Sequence, residues 1–321
     1  MLCEINGMKL GGLGCAMFWS LRYFNEDAEE EEFALRDLIE VNPASCHGDW
    51  DSMEAIHQLL EKNSELRSVT RDKVGQVLQV ATLRIRDSKG KAERLVVGNT
   101  HLFYHPMADH IRAIQAYTIC RQMDEIRRRN NQSTRSSPYP LLLCGDLNSD
   151  PLSGAVSLLL HRQVKADHFE TWKNLNEYSW DKGEQGFLIE HGFVGNEPGS
   201  TKDPAYVDES FRDACEDLTD SDIDWPSRPP DIRLPRCFPN LTSGYPEMPE
   251  FTNYAVDFAE TLDYILVSEA APGEEFGFEV CDSAPLPSTS IMQKYVAMPN
   301  EYMPSDHVSI LCDLKWKRHR D

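Results

Sequence analysis

Short apolar runs separated by polar segments recur along the chain, and their periodicity predicts the elements of an α/β fold. Alternating apolar residues over 74–83 and 94–102 predict two strands, and turn-forming residues between them predict an antiparallel hairpin. Apolar residues at helical spacing predict a helix over about 110–129. A buried strand and turn over 141–151 and a helix near 153–161 follow.

The periodic pattern weakens between about 165 and 249, where prolines, glycines and acidic residues dominate. We predict a long acidic surface insertion here, within a single domain that covers residues 1–321. A buried strand over 261–267 and a turn entering a last strand over 304–314 follow. Strands joined partly by hairpins and partly by helices predict an α/β fold of two packed, mostly antiparallel sheets with helices outside.

Four of the apolar strands carry polar side chains at or near an end. A buried Asp costs several kcal/mol unless it is paired or bound to a metal, so four such strand ends favour a shared polar site. Carboxylate and amide oxygens suit Mg²⁺, which prefers hard oxygen ligands and keeps several waters, with Mn²⁺ as the alternative ion. The residues concerned are Asn99, His101, Asp146, Asn148, Asp263, Asp306 and His307.

Such a set fits attack by water on a phosphodiester. Asp146 would orient or deprotonate the water, and Asn148 would hold the water or the metal through its amide oxygen. His307 would donate to a non-bridging phosphate oxygen, while Asp263 would fix its tautomer and charge. Asp306 would bind the metal directly or through water.

Each of these residues also has an ordinary structural interpretation. Asp146 and Asn148 are spaced as in a turn or a helix cap. His101 is compatible with a strand-end histidine that is satisfied by hydrogen bonds, and Asp263 with a structural hydrogen-bond acceptor. Only the joint occurrence of the set, in this order, favours catalysis.

Composition narrows the choice of substrate and compartment. The net charge of −21 argues against a broad DNA-binding surface and still permits a short or single-stranded phosphate-bearing substrate in a local pocket. The three arginines at 127–129 either complement the dipole of the preceding helix or contact RNA. No window of about 18 apolar residues predicts a membrane span. Nine scattered cysteines and a start that resembles no targeting peptide predict an intracellular protein with reduced thiols.

Four ordered motifs carry a resemblance to a known family: Asn99-Thr100-His101, Gly145-Asp146-Leu147-Asn148-Ser149, Leu262-Asp263-Tyr264-Ile265 and Ser305-Asp306-His307. The set resembles the endonuclease/exonuclease/phosphatase superfamily, and more narrowly its deadenylase branch. The resemblance implies a four-layer α/β sandwich and a Mg²⁺-dependent exoribonuclease, acting 3′–5′ and 2′–5′ on poly(A) or oligoadenylate and releasing 5′-AMP. It implies single-stranded RNA or oligoadenylate as the partner, names no partner protein, and leaves a mitochondrial or a cytoplasmic location open.

The resemblance also implies how the substrate is held. His101 would contact the phosphate, with Asn99 also at the substrate. Pro106 and Phe258 match the Pro and Phe that sandwich the terminal adenine in deadenylases. Base stacking of this kind contributes about 1–3 kcal/mol per base.

One family motif is not found. Family members begin with a strand that carries an Asn, followed by a helix and a strand with Gln-Glu, whose Glu is the main Mg²⁺ ligand. No Gln-Glu precedes Gly14 here. We therefore expect this chain to lack the N-terminal part of the domain, including its first strands.

Two alternative functions stay open: a phosphatase on a small nucleotide or phosphorylated metabolite, and an inactive fragment or binding module.

Overall fold

The computed structural model describes residues 15–25, 28–45, 49–85, 93–129, 138–176, 229–256, 258–269 and 276–318. The strands are β1 (Glu29–Ala34), β2 (Val77–Ile85), β3 (Glu93–His101), β4 (Leu141–Asp146), β5 (Gln163–Val164), β6 (Ile232–Arg233), β7 (Leu241–Ser243), β8 (Asn253–Ala255), β9 (Phe258–Glu260), β10 (Asp263–Ser268), β11 (Phe276–Ser283) and β12 (Cys312–Arg318). The helices are α1 (Leu35–Ile39), α2 (Ser52–Lys62), α3 (Ser64–Asp72), α4 (Asp109–Arg129), α5 (Gly154–His161), α6 (Phe169–Trp172) and α7 (Thr289–Met292).

A six-stranded sheet in the order β1-β2-β3-β4-β10-β7 forms the centre of the molecule. The β2–β3 hairpin is antiparallel, as the alternating pattern predicts, and β10 is antiparallel to β4. β3 and β4 are parallel, so the chain must cross over between them, and the long helix α4 makes this crossover. The carboxyl ends of β3 and β4 therefore lie side by side, together with the start of β10.

The face of the sheet on which α4 packs determines where the polar strand ends point. A side chain at Gly98 would clash with Met123 of α4 and approach Leu143, so this glycine lets the helix pack closely on β3 and β4. Side chains alternate along a strand, so Asn99, His101 and Asp146 point to the opposite face. The helices and the site thus lie on different faces of one sheet.

Helix α4 is the core of the helical layer. Its apolar residues join those of α1, α2, α3 and α5 in one cluster on the sheet. Arg127 is fully buried and donates to Asp124 at 2.7 Å, Arg128 donates to the same carboxylate at 2.8 Å, and Arg129 pairs with Glu31 at 2.6 Å. These arginines are bonded within the protein, which favours the structural interpretation of this cluster over RNA contact.

The opposite face of the sheet carries the antiparallel ladder β11–β12. Cys312 of β12 lies where a side chain at Gly244 would be, next to Ile265 of β10. The mixed α/β class is confirmed. Among the described residues, the strands outside the central sheet form the two-stranded ladders β11–β12, β5–β6 and β8–β9.

The two ends of the predicted insertion belong to the core. Trp172 and Leu175 at its start, and Ile232 and Phe238 near its end, are each at most 1% exposed. β7, also inside the predicted range, is an edge strand of the central sheet. The prediction of a surface insertion is therefore wrong for these end segments, and residues 177–228 lie outside the described residues. No helix among the described residues is long and apolar enough to cross a membrane.

Candidate active site

The site begins where β3 and β4 approach each other more closely than side chains allow. Gly145 has φ +145°, and a Cβ there would lie 1.8 Å from the Thr100 carbonyl oxygen. Only glycine fits this close approach. As a result His101 is the direct neighbour of Asp146 across the parallel pair, and Asp263 is its neighbour on the antiparallel side.

Asp146 lies at the centre of the group. Its Oδ2 is 3.3 Å from His101 Nε2 and 3.8 Å from His307 Nε2. Burial raises the pKa of the Asp146 carboxyl, and the Asp263 carboxylate adds to the rise. The backbone N–H of Asn148 and the imidazoles of His101 and His307 oppose it. Asp146 is therefore a partly buried carboxyl with a raised pKa and two imidazole neighbours that favour its charged form.

His307 is oriented by Asp263. Its Nδ1 lies 2.7 Å from Asp263 Oδ2, which leaves Nε2 directed towards Asp146. The hydrogen bond to Asp263 raises the pKa of His307, and the carboxylates of Asp263, Asp146 and Asp306 add to this rise against the opposing effect of burial. Thr252 Oγ1 donates to the same Asp263 oxygen at 2.7 Å and accepts the backbone N–H of Asp263. The imidazole is therefore held in one orientation and favours its protonated form.

Residues 306–308 are attached to the site by backbone pairing. His307 forms an isolated antiparallel bridge with Asn253, and Val308 N donates to Thr252 O at 2.7 Å. Asp306 Oδ2 accepts from Asn253 Nδ2 at 3.3 Å. Its carboxylate is therefore engaged beside the site, and the geometry gives less support to Asp306 as a metal ligand than to Asp263 and His307.

Asn148 lies in the turn after β4, with a left-handed backbone at φ 47° that asparagine tolerates. Its N–H donates to Asp146 Oδ1 at 2.8 Å, and its Nδ2 donates to Leu102 O at 2.8 Å. The amide group is therefore fixed beside Asp146, with its nitrogen used to tie the loop after β3. This orientation leaves the amide oxygen as the group for a ligand.

The three predicted substrate-binding residues lie on three different segments of the chain. Asn99 is on the same face as His101, and its Nδ2 donates to Ala16 O at 3.4 Å. Pro106 is exposed in the loop between β3 and α4. Phe258 is 48% exposed in the β8–β9 hairpin, which begins next to Thr252. Both rings are available to a ligand, and their joint role stays a prediction.

The donor set fits a divalent cation. Asp146, Asp263 and His307 offer ligand atoms that all lie within 4.8 Å of one another. The two carboxylates face each other across a strand pair, with side chains only 14% and 18% exposed, and like charges so placed repel. A cation bound by carboxylate oxygens would relieve this repulsion, with Asn148 as a further oxygen donor.

The sequence of the chain matches the model of the Endonuclease/Exonuclease/phosphatase family over residues 78–307, which covers every residue of this site. The chain belongs to this family. The resemblance of its motifs to the family is thereby confirmed. Enzymes of the family typically depend on a divalent metal, in accord with the donor set around Asp146.

Individual relatives are about 25% identical to this chain over the aligned residues. Rat 2′,5′-phosphodiesterase 12 is 26% identical over 267 residues, which are 82% of this chain and 33% of the relative. A CCR4-NOT transcription complex subunit 6-like protein of Xenopus laevis is 25% identical over 94% of this chain and 46% of its own length. A crystal structure of ANGEL2, a 2′,3′-cyclic phosphatase, in complex with adenosine-2′,3′-vanadate matches with TM-score 0.49 and 19% identity, covering 77% of this chain and 62% of that chain. The chain spans about a third of the length of the rat relative.

Sequence reasoning assigned no role to Thr252, Asn253 and Arg112. Thr252 and Asn253 fix Asp263 and Asp306, and Arg112 contacts the loops after β3 and β4. The pair Thr252-Asn253 at the start of a strand was a usable signal, since polar residues beside an apolar run favour a role at a strand end. Arg112 had none, because an arginine on a helix is ordinarily a surface residue.

Proposed function

We propose that the protein is a Mg²⁺-dependent phosphodiesterase that acts as a 3′–5′ and 2′–5′ exoribonuclease on poly(A) or oligoadenylate and releases 5′-AMP. The observation that carries this proposal is the group of Asp146, Asp263, His307 and His101 around one point at the end of β4. Family membership supports hydrolysis of phosphate esters, and the name of the rat relative supports the 2′,5′-phosphodiester class.

In this proposal each side chain has one task. Asp146, with the pKa of its carboxyl raised by burial, accepts a proton from the water whose oxygen bonds to phosphorus. The bond from phosphorus to the 3′ or 2′ oxygen of the preceding ribose breaks, and that oxygen takes a proton from the solvent. His307, whose pKa is raised by its bond to Asp263, donates from Nε2 to a non-bridging phosphate oxygen. His101 binds a second phosphate oxygen, and Asn148 orients the water through its amide oxygen. Mg²⁺ bound by the carboxylates would supply charge to stabilise the transition state.

Recognition of the nucleotide rests on stacking in this proposal. The exposed rings of Pro106 and Phe258 would hold the terminal adenine, and Asn99 would contact the sugar or phosphate beside it. Binding of the base by stacking is compatible with a net charge of −21 on the protein, because stacking needs no extended basic surface. We also propose an intracellular location. The cysteines among the described residues are all free, and reduced thiols are typical of intracellular proteins.

The test is a comparison of products released by the full chain. We would incubate it with 3′,5′-linked and 2′,5′-linked oligoadenylates and with a small phosphomonoester, each with Mg²⁺ and with EDTA. The proposal predicts stepwise release of 5′-AMP from the oligomers with Mg²⁺ alone. Release of inorganic phosphate from the monoester, without AMP from the oligomers, would support the phosphatase alternative. No product from any substrate would support the binding module.

The matched control for variants of this site is Asp37→Asn. Asp37 is a carboxylate in α1 whose side chain is 78% exposed. An acid-to-amide change there should leave AMP release unchanged, whereas the same change at Asp146 should abolish it.

A further inference from the structure

Arg112 is a buried guanidinium at the junction of the two loops that follow β3 and β4. It is 5% exposed and lies in the first turns of α4. Its partners come from both loops: Ser149 Oγ at 3.1 Å from Nε, the carbonyl oxygens of Phe103 at 3.3 Å and His105 from Nη1, Pro106 O at 3.3 Å from Nη2, and Asp109 Oδ1 at 3.6 Å from Nη2.

Stability alone does not explain a buried charge at this position. Burying a guanidinium costs several kcal/mol, and well-packed apolar residues often stabilise a core as much as a buried ion pair does. The planar fork of arginine offers something an apolar residue does not, because its five N–H groups fix the directions of several acceptors at once. Here those acceptors fix the relative position of two loops.

Each of the two loops carries residues of the candidate active site. The first connects His101 to Pro106, and the second contains Asn148 directly before Ser149. On the side facing the site, the loops are tied by Asn148 Nδ2 donating to Leu102 O at 2.8 Å. Arg112 provides the corresponding tie on the side facing the helix.

The neighbouring side chains of α4 extend this platform. Gln115 Oε1 accepts from the Phe103 N–H at 3.0 Å, and Asp109 Oδ2 accepts from the Gly154 N–H at 2.9 Å. Arg112 alone among these three contacts both loops through one rigid group. It therefore controls the distance between Pro106 and Asn148 more directly than its neighbours do.

We propose that Arg112 is a positioning residue that fixes the loop of Pro106 relative to Asn148, so that a terminal base and the phosphate under attack keep one spacing. This inference rests on the proposed function, in which Pro106 stacks on the base and Asn148 orients the water. It assigns to Arg112 an effect on substrate preference as well as on rate.

The chain supplies a matched control in Arg127. This arginine is also fully buried on α4, and donates to Asp124 at 2.7 Å and to Cys237 O at 3.0 Å. It lies 15 positions later, so about 22 Å along the helix axis from Arg112. Its replacement should cost stability in a similar way without touching the two loops.

The experiment compares Arg112→Lys and Arg112→Met with Arg127→Lys and Arg127→Met in the full chain with Mg²⁺. We would measure kcat and KM on oligo(A) and oligo(U), and amide hydrogen exchange over 102–106 and 147–150. For the Arg112 variants we expect kcat/KM on oligo(A) to fall by about 10- to 100-fold, since a displacement of about 1 Å has effects of this size. The preference for A over U should shrink, and exchange should rise in both loops.

The Arg127 variants should lose folded protein, and hence total activity, while KM, the ratio of A to U and exchange in the two loops stay as in the parent. If the Arg112 variants behave in the same way, Arg112 is only structural and the inference is wrong. If Arg112→Met does not fold, the comparison rests on Arg112→Lys, which keeps the charge and loses the fork.

Failure of the proposed function would be recognised separately, as a parent chain that releases no AMP. Hydrogen exchange then decides the inference about the loops. Faster exchange confined to the two loops in the Arg112 variants would support it, and exchange that rises uniformly or not at all would overturn it.

Discussion

Replacement of Asp263 by Asn isolates the hydrogen bond that orients His307. Asn keeps the size of the side chain and the acceptor for Thr252, and removes the charge 2.7 Å from His307 Nδ1. A hydrogen bond to a charged group is worth about 1.5–3 kcal/mol. Because the His307 side chain is 29% exposed, we discount this to about 1–2 kcal/mol for solvent screening.

If His307 donates to the phosphate, this energy is lost from the transition state. Each 1.36 kcal/mol corresponds to a factor of 10 in rate, so kcat/KM for AMP release should fall by about 5- to 30-fold. The assay is AMP release from oligo(A) with Mg²⁺, with Asp37→Asn as the control. A kcat/KM within about twofold of the parent would refute the assignment of Asp263 as the partner of a catalytic His307.

The same substitution has a signature in stability that does not depend on activity. The pKa of His307 is raised in the folded protein, so folding favours proton uptake, and the pair stabilises the fold fully below the unfolded pKa of about 6.5. This contribution is lost as the pH rises through the folded pKa. Thermal unfolding in EDTA should therefore show a larger loss of Tm for Asp263→Asn at about pH 5.5 than at about pH 9. An equal loss at both pH values would contradict the pairing.

Three further predictions concern the surrounding residues. Asp146→Asn should raise the Tm of the metal-free chain at neutral pH and leave it unchanged near pH 3, as thermal unfolding in EDTA would show. The reason is that a carboxyl whose pKa is raised by burial destabilises the fold only when it is ionised. Gly145→Ala should cost more than about 3 kcal/mol in urea unfolding, since its Cβ would clash with Thr100 O, whereas Gly75→Ala, with nothing within 4 Å, should stay within about 0.5 kcal/mol of the parent or gain slightly. Phe258→Ala should raise KM for oligo(A) by about 5- to 150-fold, as the loss of about 1–3 kcal/mol of stacking implies. The Tm should stay unchanged because the ring is 48% exposed, and steady-state kinetics that show an unchanged KM would remove Phe258 from the substrate site.

The sequence predicts an element closely when the element's own pattern of apolar residues determines which of its side chains are buried. The β2–β3 hairpin has a strand pattern around a turn, α4 has helical spacing, and β4 and β10 are short apolar runs. Each lies close to its predicted range. The end segments of the predicted insertion carry no such pattern. Trp172 and Phe238 are buried as single residues within segments of irregular pattern, so their place in the core depends on distant parts of the chain.

The site shows the same limit. The meeting of Asp146, Asp263 and His101 follows from strand order, because polar residues at neighbouring strand ends lie side by side. His307 joins them through its bridge to Asn253. The engagement of Asp306 with Asn253 depends on a pairing of distant segments, and no local pattern signals it. The clamp formed by Arg112 likewise depends on where two loops fold back onto α4.

The proposed activity is best tested by measuring the release of 5′-AMP from oligo(A) by the full chain across a Mg²⁺ titration, with Asp146→Asn measured in parallel at equal folded concentration. We expect AMP release that saturates with Mg²⁺ in the parent and falls by at least about 100-fold in the variant, since the proposed general base is lost. Equal rates in both proteins, or no Mg²⁺-dependent AMP release by the parent, would contradict the proposed phosphodiesterase activity.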